Sequence, residues 1–156
     1  MNVYPMAPMP KNDHSIQPGS PVVEQAYRDY APLFDAMHGA RWLLAAHPAS
    51  IRSAAGPAAT ATVNVLTRGP DPANPEGYLA QVMLGNESSV VLTLNLPPSS
   101  KRLELVVWHP GAASEPAMLG PAQQTAAGWE ATVPLVRGCA SVGARFVDAG
   151  SPGTHL

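Results

Sequence analysis

Lys11, Asn12, Asp13 and His14 place an ammonium, an amide, a carboxylate and an imidazole in consecutive positions. A carboxylate beside an imidazole can move a proton or hold a hydroxyl group, and the adjacent amide and ammonium add donors. The same residue types also build turns through side-chain hydrogen bonds to the backbone, so a purely architectural reading stands beside the functional one. The cluster follows YPMAPMP, residues 4 to 10, which is too apolar for an ordinary terminal tail and too rich in proline for a helix or a central strand. Stiff, irregular segments of this kind often carry functional groups.

Elsewhere the reactive residue types are dispersed. The histidines, His14, His38, His47, His109 and His155, form no HExxH or Hx3H spacing, so no metal site is expected. No GxSxG motif marks a nucleophilic serine, and Cys139 in VRGCASV has small neighbours and no activating base, as a packed strand cysteine would. The eleven acidic residues favour no pair suited to glycosidic chemistry. Of the three tryptophans, Trp42, Trp108 and Trp129, strand burial is the expected role. Trp108 is the most open to a stacking role, since it shares a strand face with Glu104 and Val106 and adjoins His109.

Composition narrows the function classes. The 156 residues carry nine basic and eleven acidic side chains, a net charge of -2, without a basic stripe, which argues against nucleic acid and anionic membrane as partners. Charged residues are 13% of the chain, about half the usual share, so part of the surface is expected to face another domain or chain. A single cysteine allows no internal disulfide. Neither a signal peptide nor an apolar run of membrane-spanning length is present, so a free-standing chain would be soluble and cytoplasmic. No cofactor is implied.

The elements that position these groups begin after an irregular segment, residues 1 to 19. SPVVEQAYRDYAPLFDAMHG predicts a helix capped by Ser20, started by Pro21 and closed by Gly39. Val22, Val23, Ala26, Tyr27, Tyr30, Leu33, Phe34 and Met37 form its apolar stripe, and Pro32 should kink or split it. From Arg41 the period changes to alternation in seven segments: RWLLAAHPASI, TATVNVLTR, GYLAQVMLG, SSVVLTLNL, KRLELVVWH, GWEATVPLV and CASVGARFV. Leu103, Leu105 and Val107 oppose Glu104 and Val106, and Leu92, Leu94 and Leu96 oppose Thr93 and Asn95. HPGAASEPAMLGPAQQTAAG reads as a long surface excursion. The expected fold is mainly β: an antiparallel β-sandwich over residues 40 to 148, preceded by a segment and helix over 1 to 39 and followed by a disordered tail over 149 to 156.

The run YPMAPMPKNDHSI, followed by DYAPLFDAMHGARWLLAAHP, resembles the C-terminal end of large bacterial glycoside-hydrolase-like proteins, in which a (β/α)8 barrel precedes an antiparallel β domain. HPGAASEPAMLG and GWEATVPLVRGCASV look like that terminal domain, and the resemblance spans roughly residues 3 to 147. It implies that the helix is the last of an incomplete barrel and that the KNDH cluster lies on the barrel rim. Asp13 and His14, with Asn12, Tyr4 and Trp108, then become carbohydrate-binding positions, while the catalytic residues belong to earlier strands. With roughly seven eighths of the barrel lacking, catalysis by this chain alone is not expected. The helix stripe would pack on a catalytic barrel or on a second copy of the chain. The alternative is a non-catalytic carbohydrate-binding or structural β-sandwich module.

Overall fold

The first element of the computed structural model, which describes residues 21–148 apart from 55, 57, 58, 72–74, 113 and 114, is the helix α1 (Pro21–Met37). Tyr4, Asn12, Asp13, His14 and the tail over 149–156 lie outside the described residues. Pro32 does not split α1, which runs through it with the proline buried. Gly39 ends the helix in the left-handed conformation, φ +73°, with the amide of Ala40 donating to Met37 O.

The described residues then form β1 (Arg41–Trp42), β2 (Ala49–Ser53), β3 (Thr62–Arg68), β4 (Gly77–Met83), β5 (Ser89–Leu94), β6 (Arg102–Trp108), β7 (Ala117–Pro121), β8 (Gln123–Thr125), β9 (Gly128–Pro134) and β10 (Ala140–Val147). Every pairing is antiparallel, in a six-stranded sheet ordered β1-β3-β4-β10-β6-β7 and a four-stranded sheet ordered β2-β5-β9-β8. The described residues are therefore mainly β, with two antiparallel sheets and one helix.

Two sequence expectations are corrected. RWLLAAHPASI is not one strand: Arg41–Trp42 joins the larger sheet and Ala49–Ser53 the smaller. Between them His47 adopts φ +48° and Pro48 follows, a combination that turns the corner from one sheet to the other. The excursion after His109 holds β7 and β8. β7 pairs with β6 across an irregularity between Leu105 and Val106, and its Gly120 takes φ +96°. Pro121 fits there because β7 is an edge strand with one side unpaired.

The inter-sheet core takes the alternate residues of each strand. Val65, Val82, Leu103, Leu105 and Val142 of the larger sheet meet Val90, Leu92, Leu94, Trp129 and Val133 of the smaller. The opposite face of the larger sheet is also buried, under α1, where Leu33 and Ala36 pack with Leu66, Leu79, Val106 and Trp108. The C-terminal half of the helix stripe thus packs on this chain's own sheet. Its first turn does not, leaving Val22 79% and Val23 49% exposed.

Candidate functional site

Trp108 lies where the alternation places it, on the face opposite Leu103, Leu105 and Val107, but α1 covers that face. The indole is 7% exposed, and a Cβ at Gly143 would lie 3.0 Å from its ring, so indole and glycine backbone are in close contact. Trp108 offers no open face to a sugar ring. Trp129 is likewise buried, with its indole N–H donating to Pro97 O at 3.3 Å and its ring meeting Phe146 edge-on at 5.4 Å. Trp42, on the short edge strand β1, is 36% exposed. Cys139 is buried beneath the helix among apolar neighbours.

Most described carboxylates are engaged in holding the fold. Arg102 bonds Glu104, Arg52 approaches Glu130 at 3.5 Å, and Lys101 pairs with Asp148 at 3.1 Å. Glu87 accepts from the Thr60 amide at 2.6 Å and from the Thr60 hydroxyl at 3.0 Å, and the amide bond, which comes first, holds its carboxyl below the usual carboxylate range. Asp29 accepts from Arg137 and from Gln25, the latter at 2.7 Å, and these bonds lower its carboxyl too. No group of three or more histidine, cysteine or acidic side chains suited to a metal ion occurs among the described residues.

Two concavities among the described residues bear on function. One, of about 410 Å³, lies at the end of the smaller sheet between the chain leaving β5 and the β8–β9 hairpin. Asn95, Pro97, Pro98, Gln124, Thr125 and Gly128 line it, and no charged side chain does. The geometry follows from local bonding. Asn95 donates its side-chain amide to His47 O at 2.5 Å, which leaves its carbonyl oxygen to accept. Thr125 donates to Gly128 O and accepts from the Ala127 amide, closing the hairpin. Gly128 takes φ +132°, and a Cβ there would come within 2.5 Å of Leu94 O, so only glycine allows the two strands this approach. Buried Trp129 fixes the proline wall from below through its bond to Pro97.

The other concavity, of about 380 Å³, lies beside the end of α1. His38 and Gly39 form one side, and Arg68, Glu76, Gly77 and Arg145 the floor and remaining walls. Tyr78 packs toward the inter-sheet core, and burial pushes its phenol above the ordinary value. No local sequence pattern marks either concavity. What brings Pro97, Pro98 and Gly128 together is the pairing of β5 with β9, separated by more than thirty residues. Comparison of the chain with protein-family models, with curated proteins and with solved structures found no match.

Proposed function

We propose that this chain is a non-catalytic β-sandwich module of a carbohydrate-active glycoside hydrolase, packed beside a (β/α)8 barrel that carries the chemistry. The uncharged groove at the end of the smaller sheet carries this reading. Neutral sugars are held by fixed amides and hydroxyls together with flat apolar surfaces, and the groove joins Asn95 and Gln124 to the exposed rings of Pro97 and Pro98. The engagement of Glu24, Asp29, Glu87, Glu104, Glu130 and Asp148 with neighbouring side chains or amides supports a structural role for these acids.

Two measurements test the proposal together. The chain alone is expected to leave aryl glycosides intact and to be retarded in a gel containing soluble polysaccharide, with Gln124→Ala abolishing the retardation. Turnover of an aryl glycoside by the chain alone, or migration indifferent to every polysaccharide tried, overturns it.

A second reading has its own observation in Val22 and Val23, which are exposed on the first turn of α1. On that reading the helix end is an interaction surface that meets the barrel or a second copy of this chain. Sedimentation as a clean monomer argues against the second copy, and association that Val22→Asp disrupts supports it.

A further inference from the structure

The concavity beside the end of α1 holds two opposite charges that the proposed function does not use. Arg68 closes β3, and its register partner on β4 is Gly77. Glu76 precedes that glycine and donates its amide to Arg68 O at 2.9 Å, so the two charged residues diverge from one backbone hydrogen bond. Their side chains stay apart. A Cβ at Gly69, which takes φ +104°, would come within 2.9 Å of Glu76 Cγ, so the glutamate stem lies against the bare backbone of Gly69. Arg68 stands instead beside bare Gly77, half-buried. Both side chains line the cleft, yet neither takes part in an ion pair or a side-chain hydrogen bond among the described residues.

The surroundings add room and a second negative element. Gly143 is the register partner of Leu79, two residues beyond Gly77, so two bare positions adjoin on one face of neighbouring strands. Packing keeps them bare, since a Cβ at Gly77 would lie 3.0 Å from Ala144 O and one at Gly143 would lie 3.0 Å from the Trp108 ring. The cleft above them, about 380 Å³, is of a size that holds a small molecule. On one side α1 ends, and His38 and Gly39 form the wall. No basic residue in the last helical turn offsets the partial negative charge of the carbonyl end. That end and the Glu76 carboxylate favour a cation, whereas Arg68 favours an oxyanion. Arg145 already has an interaction of its own and Glu104 is bonded to Arg102, so neither is called on. Two opposite charges that line one cleft without pairing suit a ligand that carries both.

We infer that this cleft binds a small zwitterion of the α-amino acid class, with its carboxylate on the Arg68 guanidinium and its ammonium between Glu76 and the carbonyl end of α1. A guanidinium fork matches the two oxygens of a carboxylate, and a carboxylate accepts from an ammonium. Titration of the full, isotope-labelled chain with glycine, L-glutamine, sodium acetate, methylammonium chloride and glucose, at constant ionic strength and neutral pH, tests it by amide chemical shifts. Glycine, glutamine or both are expected to shift the Gly69, Gly77 and Gly143 amides saturably. Acetate and methylammonium, each carrying one of the two charges, should bind about tenfold or more weakly than the zwitterion, and glucose should leave these amides unmoved. Arg68→Gln and Glu76→Gln should each weaken the zwitterion about tenfold or more with a dispersed spectrum retained, while Arg52→Ala, on the other sheet, leaves its affinity unchanged. Linear, unsaturable shifts with both amino acids, an equal response to acetate, methylammonium or glucose, or undiminished affinity in either glutamine variant overturns the inference.

Discussion

The two faces of the larger sheet are both buried, but by different means. Toward the smaller sheet, Val65, Ala80, Val82, Leu103, Leu105, Val107 and Val142 form an aliphatic layer that meets a matching layer from β2, β5 and β9. Toward α1, one row is apolar, Leu66, Leu79 and Val106, but the adjoining row includes the buried pair Ser141 and Gln81, whose hydroxyl and carbonyl oxygen bond at 2.8 Å. The Gln81 amide nitrogen on that face has no hydrogen-bond partner among the described residues. The row on the other side of the apolar one brings the charges of Arg68, Arg145 and Glu104. A face closed by a sheet must be apolar along its whole length, because every row meets another. A face closed by one helix is dry only beneath it, and polar side chains fill the margins. Fold stability therefore resides mainly between the sheets, and the variation available to a binding site lies around the helix.

The largest test of that contrast is Leu105→Ala. Leu105 is 1% exposed between the sheets, and truncating such a leucine costs about 2–5 kcal/mol through lost burial and the cavity left behind. Denaturant unfolding should show the loss in a single transition, since this layer joins both sheets. A loss below about 1 kcal/mol would mean that the layer is not the main source of stability. Gly143→Ala probes the other face with a smaller effect. The new methyl would lie 3.0 Å from both the Trp108 ring and Val106 Cγ2. Overpacking of about 1–3 kcal/mol, offset by the ~0.5–1 kcal/mol that removing a strand glycine returns, gives a net loss of about 1 kcal/mol. Hydrogen exchange should localise that loss to α1, with the amides of β5 and β9 still protected. Uniform loss of protection across both sheets would erase the distinction between the faces.

The same contrast explains what was legible in the sequence. Alternation placed Leu103, Leu105 and Val107 on one face and Glu104, Val106 and Trp108 on the other, as the packing has it. It could not reveal that the second face is also buried, because the covering helix is recognised by its own period and not by the strand's. β7 and β8 escaped because they are short edge elements: AMLGP and QQT alternate in nothing that local pattern detects. The concavities were illegible for a different reason. Arg68 faces Gly77 across the pairing of the consecutive strands β3 and β4, but Arg145 reaches Gly77 only because β10 inserts between β4 and β6, a pairing made at long range in the chain.

The smallest expected effect concerns how α1 is fastened. The Gly111 amide donates to Asp29 O at 2.7 Å, and Arg137 bonds the Asp29 carboxylate. Arg137 sits at φ +52° and Gly138 at φ +72°, in the two-residue turn between Val136 and Cys139. Asparagine and glycine fill such a turn more readily than arginine, so a less suitable residue stands where its guanidinium reaches the helix. The Arg137 hydrogen bond, and after it that of Gln25, hold the Asp29 carboxyl below its ordinary value. A lowered folded pKa favours the folded state wherever the carboxyl is ionised. The contribution is complete above the unfolded value of about 3.9 and is lost as pH falls through the lowered folded value. Glu87 titrates in the same direction, so the comparison must be between proteins that differ at residue 29 alone. Asp29→Asn should therefore lower the melting temperature slightly at pH 7, with the gap to the parent closing as pH falls below the aspartate range. A gap that stays constant with pH would show that the variant acts through packing and not through the ion pair. Arg137→Asn should reproduce the loss at neutral pH despite its better turn residue, and the double variant should be no less stable than the weaker single one, because the two side chains act as one contact.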